Sequence, residues 1–235
     1  MGTMVFAGAL PVLRGAWHMD AATAGSIQTA FNLANAIALL VAAWLCDSFG
    51  AKRVYLASTW AGAVALGCFA MFARSPHSAL IWIVLVGLTQ GGAYAPALIL
   101  ASDLSAPSRR GRAMGMMLAA GSFGYLLSLF FALWATQTFG VVAGFGACAS
   151  GVVMGATAGQ ISLAGVLPAE REQTANRRVR PEPFHWRAMF SPVALCLLIG
   201  YVAHCWELLS HYAWTPSLLA SAVAPLELGG PWAAL

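Results

Sequence analysis

The chain is short of charge. Its 235 residues include 12 Lys or Arg and 8 Asp or Glu, so only 9% are charged, against about 25% in a soluble domain. That shortage excludes an ordinary soluble fold. It also excludes a nucleic-acid surface, because the formal charge of +4 comes from loop residues and not from a basic face. The five cysteines, Cys46, Cys68, Cys148, Cys196 and Cys205, lie in or beside apolar segments without paired spacing. They make neither a disulfide framework nor a metal site and read as small packing residues. Residues 1–13 lack the basic start and cleavage site of a signal peptide, and Gly2 lacks the Ser or Thr four positions on that myristoylation favours. No phosphate-cradling glycine loop, paired catalytic carboxylates or nucleophile elbow is found, so the polar residues are too few and scattered for an enzyme site. No cofactor or metal is expected.

What is abundant is apolar sequence: 60% of residues are hydrophobic and the mean hydropathy is +0.75. Residues 1–13 hold about ten apolar residues where a span needs roughly twenty. They predict the outer end of a first helix whose beginning is missing or encoded upstream, with residues 14–20 as an outer loop. Membrane helices follow at about 22–46, 54–73, 78–102, 113–136 and 140–166. Pro96, inside the fourth, is tolerable because neighbouring groups can satisfy the freed carbonyl. In the sixth, Gly151, Gly155 and Gly159 form a small-x-x-x-small stripe that allows close helix contact. Residues 167–190 are the only sustained polar segment, with Arg171, Arg177, Arg178, Arg180 and Arg187. They predict a linker, partly helical where Phe184, Trp186 and Phe190 can lie at the interface. A seventh helix starts near Ser191 and continues past His211, with Pro216 near its outer end, and the chain stops before an eighth span. Placing the loops after helices 2, 4 and 6 on one side puts ten of the twelve basic residues there. Only Arg14 and Arg74 fall opposite, which makes the basic side cytoplasmic.

Between the second and third spans lies a charged turn, Asp47-Ser48-Phe49-Gly50-Ala51-Lys52-Arg53. Gly50 lets the chain reverse with positive φ, and Lys52 and Arg53 stand where a span meets the cytoplasm. Here the sequence resembles the major facilitator superfamily of secondary transporters, which carries G-x-x-x-D-x-x-G-x-[RK]-[RK] in this loop. Asp47, Gly50, Lys52 and Arg53 match, while Ala43, Ser48 and Ala51 replace a glycine, an arginine and a basic residue. Two further echoes agree. Arg110-Gly111-Arg112-Ala113-Met114-Gly115 is similar to the family's R-G-x-A-x-G run, with a basic anchor (Arg110) and small residues (Gly111, Ala113, Gly115) that let helix 5 pack tightly; a plain positive-inside loop explains it equally well. Gln90-Gly91-Gly92-Ala93 is similar to a family segment of helix 4, although Gly87 stands where relatives often have an arginine, so no proton-handling role carries over to helix 4. Helix 5 has Gly121-Ser122-Phe123-Gly124 in place of the family's antiporter pattern, which leans toward uptake.

The resemblance implies an all-α polytopic membrane protein: an N-terminal six-helix bundle over residues 1–166, a cytoplasmic linker over 167–190 and the start of a second half from 191 to 235. It implies transport by alternating access, with Asp47 helping to latch the halves, partly against a helix of the second half. The predicted activity is proton-coupled uptake of a small organic or anionic metabolite. The rival is a truncated, non-transporting fragment. Expected partners are membrane lipid, the solute and protons, with self-association open if the chain acts as a half, and no nucleic acid. A bacterial inner membrane is the expected location.

Several residues have the chemistry to line a solute path. Gln28, Asn32 and Asn35, spaced i, i+4 and i+7, share one face of helix 2 and suit either a polar solute or interhelical bonds. Gln90 and Tyr94, one turn apart, pose the same choice. His204, Glu207 and His211 share a face of helix 7. An ionised group in a span costs about 2.5–3.5 kcal/mol on insertion scales, so Glu207 must be neutral, paired with a histidine or near water. His204 and Glu207 suit substrate or proton exchange, or else an interhelical clamp near an outer belt of Trp206, Tyr212 and Trp214. Metal binding is disfavoured because the three ligands spread over two turns.

Overall fold

The computed structural model describes residues 4–166 and 191–223; the linker assigned to 167–190 and the tail from 224 lie outside the described residues. Seven α-helices account for most of the described chain. They are α1 (Val5–Ala16), α2 (Ala21–Phe49), α3 (Ala51–Phe72), α4 (Pro76–Asp103), α5 (Arg110–Phe139), α6 (Val141–Ala164) and α7 (Pro192–Val223), and a 3-10 turn, Pro107–Arg109, precedes α5. No strand occurs among the described residues. Helices α2 to α7 are each long and apolar enough to cross a membrane, whereas α1 is shorter. The protein is an all-α polytopic membrane bundle.

Most helices run further than hydropathy delimits them, although α6 is shorter than the expected 140–166, and their ends show why. The 29 residues of α2 span about 43 Å at 1.5 Å per residue, more than the roughly 30 Å hydrocarbon core. Asp47 is therefore the end of a helix and not part of a loop. Only Gly50 separates α2 from α3, and only Gly140 separates α5 from α6, at φ 86° and 88°. That left-handed backbone suits glycine and lets each helix follow directly on the last. Pro76 opens α4 at the first helical position, where its missing N–H costs nothing. Before it, Ser75 Oγ accepts from Ser78 N at 3.3 Å and Ser78 Oγ accepts from Ser75 N at 3.0 Å. At the other end of the chain, α1 absorbs Arg14 from the expected outer loop, and α7 passes through Pro216 to Val223.

Packing rests on absent side chains. The most extensive contacts join α2 to α4, then α3 to α4 and α3 to α6. A Cβ on Gly87 would stand 2.6 Å from the Phe31 carbonyl oxygen, and one on Gly91 would run into the Asn35 carbonyl oxygen. A Cβ on Gly92 would stand 2.7 Å from Ser58 Oγ on α3. With no hydrophobic drive between helices in lipid, such close approach is what holds a bundle together. Gly8 of α1 does the same against α5, facing Ala132 Cβ and the Leu129 carbonyl oxygen, each at 3.0 Å. Phe69 and Phe145, with ring centroids 4.5 Å apart, fill the core between α3 and α6. Trp60 Nε1 donates to Gln160 Oε1 at 2.8 Å between the same two helices.

The glycine stripe expected on the sixth helix serves close contact only in part. Gly155 opens onto empty space, and Gly159 meets only the Tyr55 ring, at 3.1 Å. α6 buries Gly144, Phe145, Cys148, Ala149, Ala156 and Leu163, a face of mostly small residues with Phe145 and Leu163 as its bulk. Gly111 and Gly115 likewise have nothing within 4 Å, so the small residues entering α5 do not serve tight packing among the described residues.

Two expectations follow. Gly87→Ala or Gly91→Ala forces α4 off α2 and should cost about 1–3 kcal/mol, read as a lower thermal midpoint in detergent, whereas Gly111→Ala should leave it unchanged. Asp20 caps α2 by accepting from Thr23 N at 2.7 Å, and hydrogen bonding from Thr23 holds its carboxyl below the usual value. A lowered pKa stabilises above the unfolded value of about 3.9 and loses that contribution as pH falls through the folded value. Acidifying from pH 5 toward about pH 3 should therefore destabilise the wild type more than Asp20→Asn, which keeps an uncharged cap.

Clefts around the seventh helix: the candidate solute site

Helix α7 lies against the bundle with only part of its length. Among residues 192–204 all but Ala194 are exposed, whereas Ala213 is buried and Cys205, Leu208, Tyr212 and residues 215–217 are half-buried. The contact is therefore made by the end of α7 remote from the basic loops. Two cavities flank it there. One, of about 240 Å³, lies between α1, α5 and α7 and is mostly apolar, bordered by Gly8, Leu129, Phe130, Tyr212, Thr215 and Pro216. The other, of about 260 Å³, lies between α2 and α7 and is lined by Gln28, Thr29, Asn32, Trp206, Ser210 and Trp214, among others. Gly25 makes room for the second: a Cβ on it would come within 3.7 Å of Cζ2 of Trp214.

The three amides of α2 part company. Gln28 and Asn32 share the α2–α7 cavity, with Gln28 Nε2 donating to Asn32 Oδ1 at 3.4 Å. Asn35 is turned to α4, where a Cβ on Gly91 would approach its Oδ1 to 2.9 Å. Gln90 is half-buried and Tyr94 exposed, and neither borders these two cavities. Tyr94 does lie near Tyr125 of α5 and Tyr201 of α7, and the Tyr125 ring stands 6.1 Å from Tyr212. Phenols from three helices thus converge.

His204, Glu207 and His211 are all exposed, and only His211 borders a cavity, the apolar one. Glu207 sits at the midpoint of the 32-residue α7, not at its outer end. Among the described residues it has no hydrogen bond or ion pair, so the clamp to a neighbouring helix is not formed there. Also among the described residues, no three His, Cys, Asp or Glu side chains come together as metal ligands.

At the opposite end the basic residues meet helix termini. Lys52 Nζ donates to the Val166 carbonyl at 3.0 Å, just past the end of α6. Arg110 Nε donates to the Ser102 carbonyl at 3.2 Å, in the last turn of α4. Both are cations on carbonyls at the negative end of a helix, and the Ser102 carbonyl also accepts from Ser105 N. Arg53 and Asp47 are exposed, and Asp47 has no hydrogen bond or ion pair among the described residues, so the local pairing open to it with Lys52, Arg53 or the arginines after α4 is not made. Ala113 is half-buried in the first turns of α5, beside exposed Gly111 and Gly115.

Sequence reasoning passed over Thr29, Ser210 and the cavity role of the two tryptophans. The signal was present: Gly25, Gln28, Thr29 and Asn32 are spaced i, i+3, i+4, i+7, and so are Trp206, Leu209, Ser210 and Ala213. Each set is one helix face, and the two faces look at each other. No curated protein and no solved structure matches the chain. The family model described as Major Facilitator Superfamily matches residues 1–233, which with the bundle of membrane-length helices establishes that the chain belongs to the major facilitator superfamily of transporters.

Proposed function

We propose that the protein moves a small solute across a bacterial inner membrane by alternating access, with uptake coupled to protons. The observation that carries this is the partial seating of α7 on the bundle. The helix meets α1, α2 and α5 at one end, while its residues 192–204 and much of residues 110–123 of α5 are exposed toward the basic loops. A helix seated on the bundle at one end and open at the other suits the rocking of alternating access. With the basic loops cytoplasmic, the open end faces inward. Glu207 supplies the proton site in this reading. Among the described residues it is the one acid placed in mid-span, whereas Asp20, Asp47 and Asp103 stand at helix ends. Intramembrane carboxylates of this kind mark proton and solute pathways. Asp47, exposed at the cytoplasmic end of α2, remains free to latch the second half in the opposite state.

The test is transport in proteoliposomes holding the purified protein, across a panel of neutral, anionic and cationic solutes, with and without an inward proton gradient. Gradient-driven accumulation should fall about tenfold or more in Glu207→Gln, while solute exchange without a gradient persists. Unchanged accumulation with unchanged pH dependence in that variant removes the coupling role, and no transport of any solute removes the transport reading.

A further inference from the structure

We infer that the cavity between α2 and α7 is a binding site for a neutral, polyhydroxylated solute of monosaccharide or polyol size. This inference rests on the transport reading for its purpose but not for its chemistry. The walls carry amides, hydroxyls and indoles beside Gly25, Leu209 and Ala213: Gln28, Thr29 and Asn32 face Trp206, Ser210 and Trp214, and no charged side chain lines the space. At about 260 Å³ it falls just below the roughly 300–1,000 Å³ of sites for drug-sized ligands, which suits a ligand of about a dozen heavy atoms.

Three observations favour hydroxyl-rich ligands. The hydroxyls of Thr59, Thr89, Ser122, Thr138 and Thr157 each donate to a carbonyl one turn back on their own helix. Those of Thr29 and Ser210 have no such partner among the described residues, although both stand on helices of the same kind. Gln28 and Asn32 spend one donor and one acceptor on each other. That leaves the Gln28 carbonyl as acceptor and the Asn32 amide as donor, the pair that a hydroxyl satisfies by donating to one and accepting from the other. Trp206 is 77% exposed beside them and Trp214 lies across from Gly25. An indole offers a flat face with negative potential, to which the polarised C–H groups on the apolar side of a sugar ring are drawn.

The charge map argues against an anion. Among the described residues, Lys52, Arg53, Arg74, Arg109, Arg110 and Arg112 are all at helix ends or in turns, and Arg14 is in the last turn of α1. None reaches this cavity. An anionic metabolite would enter it without a countercharge, at the cost of burying an unpaired ion.

Binding is read on the purified full chain in detergent, by tryptophan fluorescence and thermal shift, with D-glucose and xylitol as neutral probes and gluconate as an anion of similar size. Saturable signals are expected for at least one neutral probe and none for gluconate. Trp206→Leu and Asn32→Leu should each weaken that binding about tenfold or more. Trp44→Leu, at the far end of α2, should leave it unchanged. Because Trp206 and Trp44 are both exposed, the unliganded thermal midpoints of their variants should match the wild type. No response to either neutral probe at about 10 mM, well above ordinary KM values of up to about 1 mM, overturns the proposal. So does equal binding by Trp206→Leu, or tighter binding of gluconate. Saturable binding without transport would sink the transport reading and leave this site standing; transport that ignores Trp206→Leu and Asn32→Leu would do the reverse.

Discussion

The approach of α4 to α2 through Gly87 and Gly91 is the constraint on which the rest of the bundle depends. In lipid, two apolar helices gain nothing by hiding from their solvent, so association has to come from close van der Waals contact. Glycines at i and i+4 bring the α4 backbone onto the carbonyls of Phe31 and Asn35. That contact fixes the rotation of α2. With Phe31, Ala34, Ala38 and Ala42 turned inward, Gly25, Gln28, Thr29 and Asn32 are left on an adjoining face for α7. The same geometry explains a departure from the family. Where relatives often carry an arginine on helix 4, Gly87 lies 2.6 Å, measured from its would-be Cβ, from a backbone oxygen. A long side chain has no room there, and polar chemistry is left to α2 and α7.

The packing repeats within the bundle with opposite sense. α1 meets α5 through Gly8 much as α4 meets α2 through Gly87 and Gly91. The single-residue joints at Gly50 and Gly140 recur after matching segments, Asp47-Ser48-Phe49-Gly50-Ala51 and Gln137-Thr138-Phe139-Gly140-Val141. Pairing α1–α3 with α4–α6 in inverted orientation accounts for both resemblances, as expected of a three-plus-three inverted repeat. What differs is charge. The first joint carries Asp47, Lys52 and Arg53 and the second carries none, because they lie on opposite sides of the membrane and the basic bias belongs to one of them.

Much of the fold was legible in hydropathy and in the alternation of basic loops, because a membrane admits few backbone solutions. Helix ends were less so. A hydropathy window sees where charge begins, and α2, α3 and α5 carry Asp47, Lys52 and Arg110 inside their helical turns. The glycine seam was misassigned for a related reason. Small residues at spacing four occur on both α4 and α6, and which set meets a neighbour depends on how each helix is rotated, which the spacing does not encode. The candidate site was half legible: amides on α2 stood out because they are rare in a span, but Thr29 and Ser210 look like ordinary helix-compatible residues until α7 is set against α2. Grouping Gln28, Asn32 and Asn35 on one face was right as geometry, yet a 100° step per residue lets Asn35 turn into the α4 seam.

Charge is what links site to mechanism. Among the described residues the cations stand at helix ends or in turns, where Lys52 donates to the Val166 carbonyl past α6 and Arg110 to the Ser102 carbonyl of α4. No cation among the described residues stands in mid-span to neutralise a carboxylate. Glu207 is therefore left at the middle of α7 without a protein countercharge among the described residues. An ionised group at that depth costs about 2.5–3.5 kcal/mol on insertion scales, which is why this exposed mid-span position is the one to which the proposed coupling is assigned. In the proposed reading, Glu207 and the neutral cavity on the α2 side of α7 belong to the same helix, so one displacement of α7 would act on both.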